Sequence, residues 1–274
     1  MEGEMVRQAA LRIARGQEMV AFTGAGISEE SGIPTFRGKG GLWDRYPPER
    51  FANSGGLIAE LLLRPGKVAG FLREILESCL DAKPNPAHLA LARWEAEGRL
   101  QAVITQNIDT LHERAGTQKV FKLHGSIDRL RCTDCGFKQD FDEVRLRRWV
   151  AALSAEGIGR RQLLHALKQI LSPCPYCGGK RRPDVVLFGD LLPQDAWAEA
   201  QQAASLCRVF LVIGTSGLVL PAAEIPLIAK RSGATLIEIN PEPTSLTAHA
   251  DLFLEGKARQ VMQELASQVM SIKQ

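Results

Sequence analysis

Four of the six cysteines form two C-x-x-C pairs, Cys132 with Cys135 and Cys174 with Cys177. A glycine follows each pair, and four thiolates in two such turns suit tetrahedral coordination of Zn²⁺. Because all four ligands are cysteines, no position stays open for water, and we expect a structural zinc rather than a catalytic one. Disulfides and free thiols are the alternatives, and both are disfavoured in a chain whose N-terminus shows no secretory signal. The 38 residues between the pairs exceed the common spacing and leave the shape of this insert open.

A second set of residues follows short apolar runs, at the points where predicted strands end. Met19–Thr23 leads into Gly24-Ala25-Gly26, for example, and Val120–Leu123 leads into His124. The C-terminal ends of parallel strands meet at one edge of a sheet, where the ligand crevice of such folds lies. We therefore expect one site that is assembled from residues 23–37, 105–109, 124, 214–216 and 240.

Each signal in this site is open to a second interpretation. Gly24 and Gly26 would let backbone amides approach a pyrophosphate, but the complete G-x-G-x-x-G spacing is absent, so a plain strand–loop turn is equally compatible. His124 is either a general base beside a nucleotide or a structural histidine. Asn107 and Asp109 are either helix N-caps or groups that orient a ligand.

Strands that alternate with helices must position these residues. We predict strands over residues 19–23, 100–105, 120–123, 184–188, 209–213, 235–239 and 251–254. Helices are predicted over 4–15, in two pieces over 55–80, over 85–97, before Gly116, over 144–171 and at the C-terminus. The alternation indicates an α/β domain with a mostly parallel sheet. The stretch 126–183 interrupts this pattern, and we expect it to form a small module inserted between two strands of the sheet.

The composition sets the class of protein. The chain has 274 residues, of which 45% are hydrophobic, and this excludes a largely disordered chain. Its net charge of +3 fits an acidic ligand but lacks the strong basic bias of a dedicated DNA-binding protein. No apolar run approaches the ~18 residues of a membrane-spanning helix, and the N-terminus does not resemble a signal or transit peptide, so we expect a cytoplasmic protein. The arginines between 145 and 161 are interpreted as a solvated helix face, and Arg37 either as solvated or as a pyrophosphate clamp.

Several long motifs, taken together and in this order, resemble the sirtuins, the NAD-dependent protein deacylases, and in particular their bacterial type. The resemblance runs from about residue 10 to residue 260. The motifs that carry it are Gly24–Ser28 with Ser31–Arg37, Thr105–Asp109 with Leu111-His112 and Ala115-Gly116, His124-Gly125, the four cysteines, Phe188–Asp190, Gly214–Ser216 and Asn240.

The resemblance implies a role for each of these positions. It implies that His124 is the general base that deprotonates a ribose hydroxyl of NAD, with Asn107 as a second catalytic residue. It implies that Phe36 shields the reacting carbon from water and that residues 185–189 pair with the substrate peptide by strand addition. The implied NAD-binding residues are Gly24, Ala25, Gly26, Ile27, Thr35, Phe36, Arg37, Gln106, Asn107, Ile108, Asp109, Gly214, Thr215, Ser216, Asn240 and Ala258. The implied peptide-binding residues are Val185, Val186, Leu187, Phe188 and Gly189.

The implied architecture has two parts, with the acyl-lysine tunnel between them. A Rossmann-like NAD-binding domain is expected to comprise residues 1–37, 81–125 and 184–274. The small domain is expected to combine a helical part, residues 38–80, with a zinc-ribbon module, residues 126–183. The implied partners are acyl-lysine proteins or peptides, and neither a membrane nor sequence-specific nucleic acid is expected.

The implied function is transfer of an acyl group from protein lysine to ADP-ribose, with release of nicotinamide and 2′-O-acyl-ADP-ribose. Two alternatives stay open: a protein ADP-ribosyltransferase of the same fold, and a zinc-ribbon nucleic-acid module joined to a nucleotide sensor. Relatives that remove succinyl groups carry a Tyr-x-x-Arg pair where this chain has Leu72 and Ile75. An anionic acyl group would find no guanidinium there, so we expect acetyl or longer apolar acyl groups.

Overall fold

The computed structural model describes residues 2–16, 18–38, 40–154 and 157–272. Within these residues the chain forms nine strands: β1 (Met19–Thr23), β2 (Leu100–Thr105), β3 (Val120–Lys122), β4 (Gly125–Cys132), β5 (Lys138–Asp140), β6 (Arg181–Val185), β7 (Val209–Ile213), β8 (Thr235–Asn240) and β9 (Leu252–Glu255). The same residues form thirteen α-helices: α1 (Glu2–Arg15), α2 (Gly26–Glu29), α3 (Leu42–Arg45), α4 (Pro48–Phe51), α5 (Ser54–Leu63), α6 (Pro65–Asp81), α7 (Pro86–Ala96), α8 (Leu111–Ala115), α9 (Glu143–Leu153), α10 (Arg160–Ile170), α11 (Gln194–Leu206), α12 (Ile225–Arg231) and α13 (Ala258–Ile272). None of these helices is both long and apolar enough to span a bilayer.

The larger sheet has six strands in the order β3-β2-β1-β7-β8-β9, and every neighbouring pair in it is parallel. All five residues of β1 and of β7 are buried, because helices cover both faces of a parallel sheet. The order of strands reverses between β1 and β7, and this is the switch point at which α/β sheets open their ligand crevice. The predicted Rossmann-like α/β sheet is therefore confirmed.

Apolar faces of the helices close both sides of this sheet. On one side α1, α7 and α13 pack against it, with buried side chains such as Ile13, Trp94 and Leu265. On the other side α11 and α12 contribute Ala204 and Ile225 to a cluster around the aromatic rings of the central strands. Complete burial of one such aliphatic side chain stabilises the fold by roughly 1.5–3 kcal/mol. These two layers hold the strand ends at fixed positions.

The smaller sheet is antiparallel and has the order β5-β4-β6. Gly125 pairs with Val185 at one end of the β4–β6 pair, and Cys132 pairs with Arg181 at the other. The prediction of a strand over 184–188 in the main alternation is wrong, because the strand ends at Val185 and belongs to this smaller sheet. Beyond it the chain turns away, and the amide of Val186 donates instead to the carbonyl of His124 at 3.0 Å.

A third apolar cluster unites the helices α3–α6 with α9 and α10. Its centre is aromatic, since the rings of Tyr46 and Phe71 both lie close to Phe51, with centroids 5.2 and 5.1 Å away. The prediction of one helical segment over 144–171 is corrected to two helices, α9 and α10. The chain breaks between them at Gly157, whose φ of +65° does not continue a helix.

The four cysteines of the C-x-x-C pairs converge at the far end of the smaller sheet, and their sulfur atoms all lie within 4.8 Å of one another. Cys132 Sγ lies 3.5 Å from Cys177 Sγ, and Cys135 Sγ lies 3.8 Å from Cys174 Sγ. A tetrahedron with Zn–S bonds of ~2.3 Å has S···S edges of roughly 3.8 Å, so these sulfurs can hold a zinc ion. The glycines after each pair have nearly equal φ angles, +73° and +74°, as two equivalent turns require.

Loss of one of these sulfurs should remove the metal and loosen the smaller sheet. We expect Cys174→Ala to copurify without zinc and to melt at a lower temperature than the parent protein, because metal binding is coupled to folding. Metal analysis and thermal unfolding of the purified protein measure both effects.

Cys207→Ala is the matched control, since Cys207 is equally buried but packs beside the main sheet. This variant should keep its zinc and lose only the packing of one sulfur. A zinc-free Cys174→Ala protein with unchanged melting would contradict the structural role of the cluster.

Candidate active site

The floor of the switch-point crevice is a close approach of two loops. The amide of Gly24 donates to the carbonyl of Ile213 at 3.0 Å, and the amide of Gly26 donates to the carbonyl of Gly214 at 2.8 Å. A Cβ atom on Gly26 would lie 2.7 Å from the Cα of Gly214, and Gly214 itself has a φ of +60°. Glycine is therefore required at both positions. Because the two loops meet without side chains, backbone atoms form the surface at these strand ends.

Asn107 and Gln106, at the end of β2, face this crevice. The Asn107 side chain is buried, and its Nδ2 donates to the carbonyl of Gly24 at 3.1 Å and to Ser28 Oγ at 3.2 Å. Because a carbonyl can only accept, the orientation of the amide is fixed and Oδ1 is the atom that Asn107 offers to a ligand. Gln106 Nε2 donates to Thr215 Oγ1 at 2.8 Å, which joins the loops after β2 and β7.

His124 follows β3 and lies beside the same strand end. Its Nδ1 is 2.9 Å from the backbone carbonyl of Gln106. Since that oxygen can only accept, Nδ1 carries the proton and the lone pair of neutral His124 is on Nε2. Burial lowers the pKa of His124 below its ordinary value of 6.5, while the hydrogen bond to Gln106 opposes that shift in part. The imidazole is consequently neutral near pH 7 and able to accept a proton.

A buried polar network that the sequence analysis did not identify supports Asn107. Ser28 Oγ donates to Asp109 Oδ2 at 3.0 Å and lies 3.4 Å from His88 Nε2. The Nδ1 of His88 faces the amide of Asn85 at 3.4 Å, so its Nε2 carries the proton and donates to Ser28. His88 therefore accepts from the amide of the helix N-cap residue Asn85, and the same ring also contacts Ser28. The string Asn85-Pro86-Ala87-His88 indicates the start of a helix, but it does not indicate that His88 contacts Ser28.

Asp109 caps a helix, as one of the two interpretations of this side chain predicts, and it also holds a residue of the crevice. Its Oδ1 accepts from the amide of Leu111 at the start of α8, as a helix cap does, while its Oδ2 accepts from Ser28. Burial raises the pKa of Asp109, and the hydrogen bonds from Leu111 and Ser28 and the charge of Lys122 act against that rise. Asn107, in contrast, caps no helix and is held by Gly24 and Ser28.

His112 is a second buried histidine behind the crevice. Its Nε2 lies 3.0 Å from Thr23 Oγ1, which donates to Thr105 Oγ1 at 2.9 Å. Thr105 Oγ1 in turn accepts the backbone amide of Asn107 at 3.0 Å. Complete burial, with His88 and Lys122 nearby, lowers the pKa of His112 well below its ordinary value. Neutral rings and hydroxyl groups therefore form the rear wall of the site.

The other predicted residues of the crevice lie along the ends of β7 and β8. The amide of Gly214 donates to the carbonyl of Ile239 at 3.0 Å, and the carbonyl of Asn240 accepts from Gly256 at 3.1 Å. Ala258, two residues further along, is buried at the first turn of α13. Ser216 is half-buried in the loop after β7. These positions form a continuous line from the glycine crossing to α13.

The residues between Ala25 and Arg37 differ in how close they stand to the crevice. Ala25 is half-buried beside the glycines, and Ile27 is fully buried in the core beneath them. The ring of Phe36 packs on Trp43 of α3, with centroids 5.0 Å apart, and so belongs to the helical cluster. Thr35 Oγ1 donates to the carbonyl of Arg37 at 2.9 Å, and Arg37 is exposed. Ile108, on the opposite side, is half-buried against that helical cluster.

The segment from Val185 to Gly189 borders the crevice next to His124. The amide of Val186 donates to the carbonyl of His124, and the amide of Phe188 donates to the carbonyl of Ala52 at 2.7 Å. The side chain of Phe188 is 47% exposed. Val185 thus ends the strand of the smaller sheet, the next two residues pass His124, and Phe188 and Gly189 form a turn beside the end of α4.

Comparison with known proteins agrees with this geometry. The sequence profile described as the Sir2 family matches residues 24–221. A Pyrococcus abyssi protein named NAD-dependent protein deacylase is 43% identical over 270 residues, which are 98% of this chain and 100% of that protein. A crystal structure of a Sir2 homologue in complex with NAD is similar with a TM-score of 0.78 and 41% identity, covering 97% of this chain and 94% of the other. A Sir2 protein bound to a myristoylated histone peptide has a TM-score of 0.71 and 35% identity, covering 99% and 98%.

Both the extent of these matches and the motifs that line the crevice confirm the resemblance stated from the sequence. The chain belongs to the Sir2 family, whose members are the sirtuins.

Proposed function

We propose that the protein is an NAD-dependent protein-lysine deacylase, a transferase that moves an acyl group from lysine to ADP-ribose. The observation that carries this proposal is the placement of His124, which is bonded through Nδ1 to Gln106 at the same strand end as Asn107 and the crossing of Gly24 with Gly214. Nε2 is therefore the nitrogen that is left to accept a proton. The similar Pyrococcus protein bears the name of this activity, and the similar solved structures hold NAD in one case and an acylated histone peptide in the other.

NAD is a substrate in this proposal. It supplies an anomeric carbon whose bond to nicotinamide breaks as the acyl oxygen bonds to that carbon. The deprotonated ribose hydroxyl then attacks the acyl carbon, and one water molecule supplies the second ester oxygen as the lysine amine leaves with a proton, so the products are 2′-O-acyl-ADP-ribose, nicotinamide and lysine. His124 accepts the proton of a ribose hydroxyl on Nε2, and Gln106 holds the ring in place through Nδ1. Asn107, through Oδ1, accepts a hydrogen bond from the ribose or the carboxamide.

The proposed NAD-binding residues divide between the ends of several strands. The backbone around Gly24 and Gly26, with Ala25 between them and Ile27 beneath, accommodates the pyrophosphate. Other contacts to the dinucleotide come from Thr35, Phe36, Arg37, Gln106, Asn107, Ile108, Asp109, Gly214, Thr215, Ser216, Asn240 and Ala258. We propose that the loop of Phe36 and Arg37 closes over bound NAD, which would keep water away from the reacting carbon.

The proposed protein substrate is an acyl-lysine segment that adds a strand to Val185–Gly189. That segment is anchored on its inner side by the bonds of Val186 and Phe188, and the exposed ring of Phe188 offers apolar contact. Leu72 and Ile75 of α6 belong to the apolar cluster of the small domain. An anionic acyl group directed at this lining would lose hydration without gaining a charged partner.

The proposed division into domains assigns residues 1–37, 81–125 and 184–274 to the NAD-binding domain. It assigns residues 38–80 and 126–183 to the small domain.

A cytoplasmic location is proposed as well. It is supported by the six cysteines, none of which forms a disulfide and four of which lie close enough together to hold a metal ion, as is typical of a reducing compartment.

Lysine peptides that carry different acyl groups test this function. With NAD present, we expect acetyl and longer apolar groups to be removed. We expect succinyl-lysine to react at least about tenfold more slowly, because an unpaired buried charge costs on the order of 1–3 kcal/mol. Mass spectrometry of the peptide and of the dinucleotide product measures both.

A double variant, Leu72→Tyr with Ile75→Arg, is the matched control and should shift the ratio of rates toward succinyl-lysine. If the peptide gains the mass of ADP-ribose and keeps its acyl group, the protein is an ADP-ribosyltransferase and the proposed deacylase function is wrong. Equal rates for succinyl and acetyl peptides in the parent protein would contradict the proposed selectivity.

Replacing the proposed base should stop turnover without disturbing the fold. We expect His124→Ala to lower kcat by about 10²–10⁴-fold, the usual contribution of general base catalysis, with zinc content and melting temperature unchanged. His249→Ala, at an exposed site in the main domain, is the control and should retain full activity. Normal turnover in the His124→Ala protein would remove His124 from the mechanism.

The pH dependence of kcat/KM for NAD should report the pKa of His124 in the free enzyme. Since burial lowers that pKa, His124 stays neutral to lower pH than a free imidazole does. As the pH falls, kcat/KM should therefore reach half of its maximum at a pH below 6.5. His88 does not confuse this measurement, because burial lowers its pKa to about 4. An acidic limb centred above pH 6.5 would show that His124 is not the neutral base described here.

A further inference from the structure

Positive charge is concentrated in one part of the chain. Residues 126–183 contain twelve arginines and lysines and six acidic residues, which gives this stretch a net charge of +6. The rest of the chain contains 22 basic and 25 acidic residues, a net charge of −3. The modest total of +3 therefore conceals a strongly basic module on a mildly acidic body.

Within that module the charge lies on the paired helices α9 and α10. From Val144 to Leu171 the sequence holds six arginines and lysines and one acidic residue, Glu156, which lies outside the described residues. The helices are joined at Trp149, whose indole Nε1 donates to the carbonyl of Ala166 at 3.3 Å. A groove of about 410 Å³ runs beside this contact and is lined by Ala152, Arg161, Gln162, His165, Ala166 and Gln169.

Five cations of the pair point outward, and we call them the basic face: Arg145, Arg148, Arg160, Arg161 and Lys168. Arg148 and the groove residue Ala152 are one helical turn apart, so both lie on the groove side of α9. Arg161, His165 and Lys168 follow the same spacing on α10. Among the described residues, none of the five cations forms an ion pair, whereas Arg147, on another face of α9, binds both Glu143 and Asp81.

The surroundings of the basic face exclude several kinds of partner. The apolar side of α10, formed by Leu163, Ala166 and Ile170, is buried, and the exposed apolar residues Leu164 of α10 and Val144 of α9 are single side chains rather than the apolar face that binds a lipid surface.

The aromatic side chains of α9 and of its N-terminal flank are buried, as Trp149 is, or covered, as Phe141 is by the guanidinium of Arg145 at 4.7 Å. The exposed rings of the module, Phe137 and Tyr176, lie in the two cysteine turns, where they stack on each other, and not on α9 or α10. A single-stranded nucleic acid would need exposed rings on which its bases could stack.

We propose that the basic face binds the phosphate backbone of duplex nucleic acid without reading its sequence. A surface of dispersed cations gains affinity mainly from charge, and duplex DNA, with one charge per ~1.7 Å of helix axis, is a dense and regular polyanion. Arg161 and Lys168 are separated by about 10 Å along α10, a distance comparable to the separation of phosphates across one or two nucleotides. The amide side chains of Gln162 and Gln169 add hydrogen-bond donors in the groove between them.

This surface is distinct from the proposed catalytic crevice, and no residue of the crevice belongs to it. Binding would hold the protein beside DNA, where the acylated lysines of DNA-bound proteins are at high local concentration. Deacylation of a free peptide should therefore not depend on the basic face.

The test measures affinity for a short labelled duplex as a function of salt. The parent protein should bind two duplexes of unrelated sequence equally, with log K falling linearly in log[salt] between about 50 and 200 mM. The triple variant Arg148→Gln, Arg161→Gln, Lys168→Gln should lower the magnitude of that slope by about 2.7, since each lost phosphate contact removes about 0.9. If the triple variant fails to fold, each single variant should lower it by about 0.9.

A second triple variant, Arg7→Gln, Arg15→Gln, Arg231→Gln, changes net charge equally at exposed sites of the main domain and should retain the parent slope. Peptide deacylation should be the same in all three proteins, which separates this proposal from the catalytic one. The proposal is overturned by absence of duplex binding at low salt, by an unchanged slope in the first variant, or by a polyglutamate peptide or anionic vesicles binding more tightly than the duplex.

Discussion

The close approach of two backbones at the switch point is the constraint on which the site depends. Gly26 and Gly214 are in contact through main-chain atoms alone, and a Cβ on either would overlap the other. This contact places the carbonyl of Gly24 where Asn107 can donate to it, and brings Thr215 within reach of Gln106. The ends of β1, β2 and β7 are thereby fixed relative to one another before any ligand is present. Pre-organisation of this kind spares the reaction part of its ordering cost.

Backbone carbonyls at strand ends also determine where the protons lie on His124 and Asn107, the two residues proposed to be catalytic. The carbonyl of Gln106 assigns the proton of His124 to Nδ1, and the carbonyl of Gly24 assigns the amide protons of Asn107. Burial then keeps the histidines neutral, because removal from water disfavours the charged ring. The same desolvation raises the pKa of Asp109, and the donors that its two oxygens receive oppose that rise only in part. Charge is thus scarce inside the site, and an incoming dinucleotide meets mostly dipoles of fixed direction.

Sequence patterns predicted the elements whose signals are local. Apolar runs located β1, β2 and β7, and the spacing of the four cysteines located the metal site, because both depend on neighbouring residues. The strand at Arg181–Val185 was assigned to the wrong sheet, since its apolar end resembles a buried parallel strand and only its pairing with β4 shows otherwise. The bonds of Ser28 to Asp109 and His88 join residues that are 81 and 60 positions apart, and no periodicity reveals such partners. Tertiary contact, and not local preference, decides these features.

The smaller sheet links the metal site to the crevice. One end of the β4–β6 pair carries Cys132, and the other end begins at Gly125, directly after His124. The carbonyl of Asp184 lies so close to Gly125 that no side chain fits there, and the φ of Gly125 is +76°. A short sheet of three strands has few apolar contacts of its own, so its register needs the restraint that a metal supplies. We therefore expect a metal bound at the four cysteines to keep β4 and β6 aligned, and so to preserve the hydrogen bond from Val186 to the carbonyl of His124.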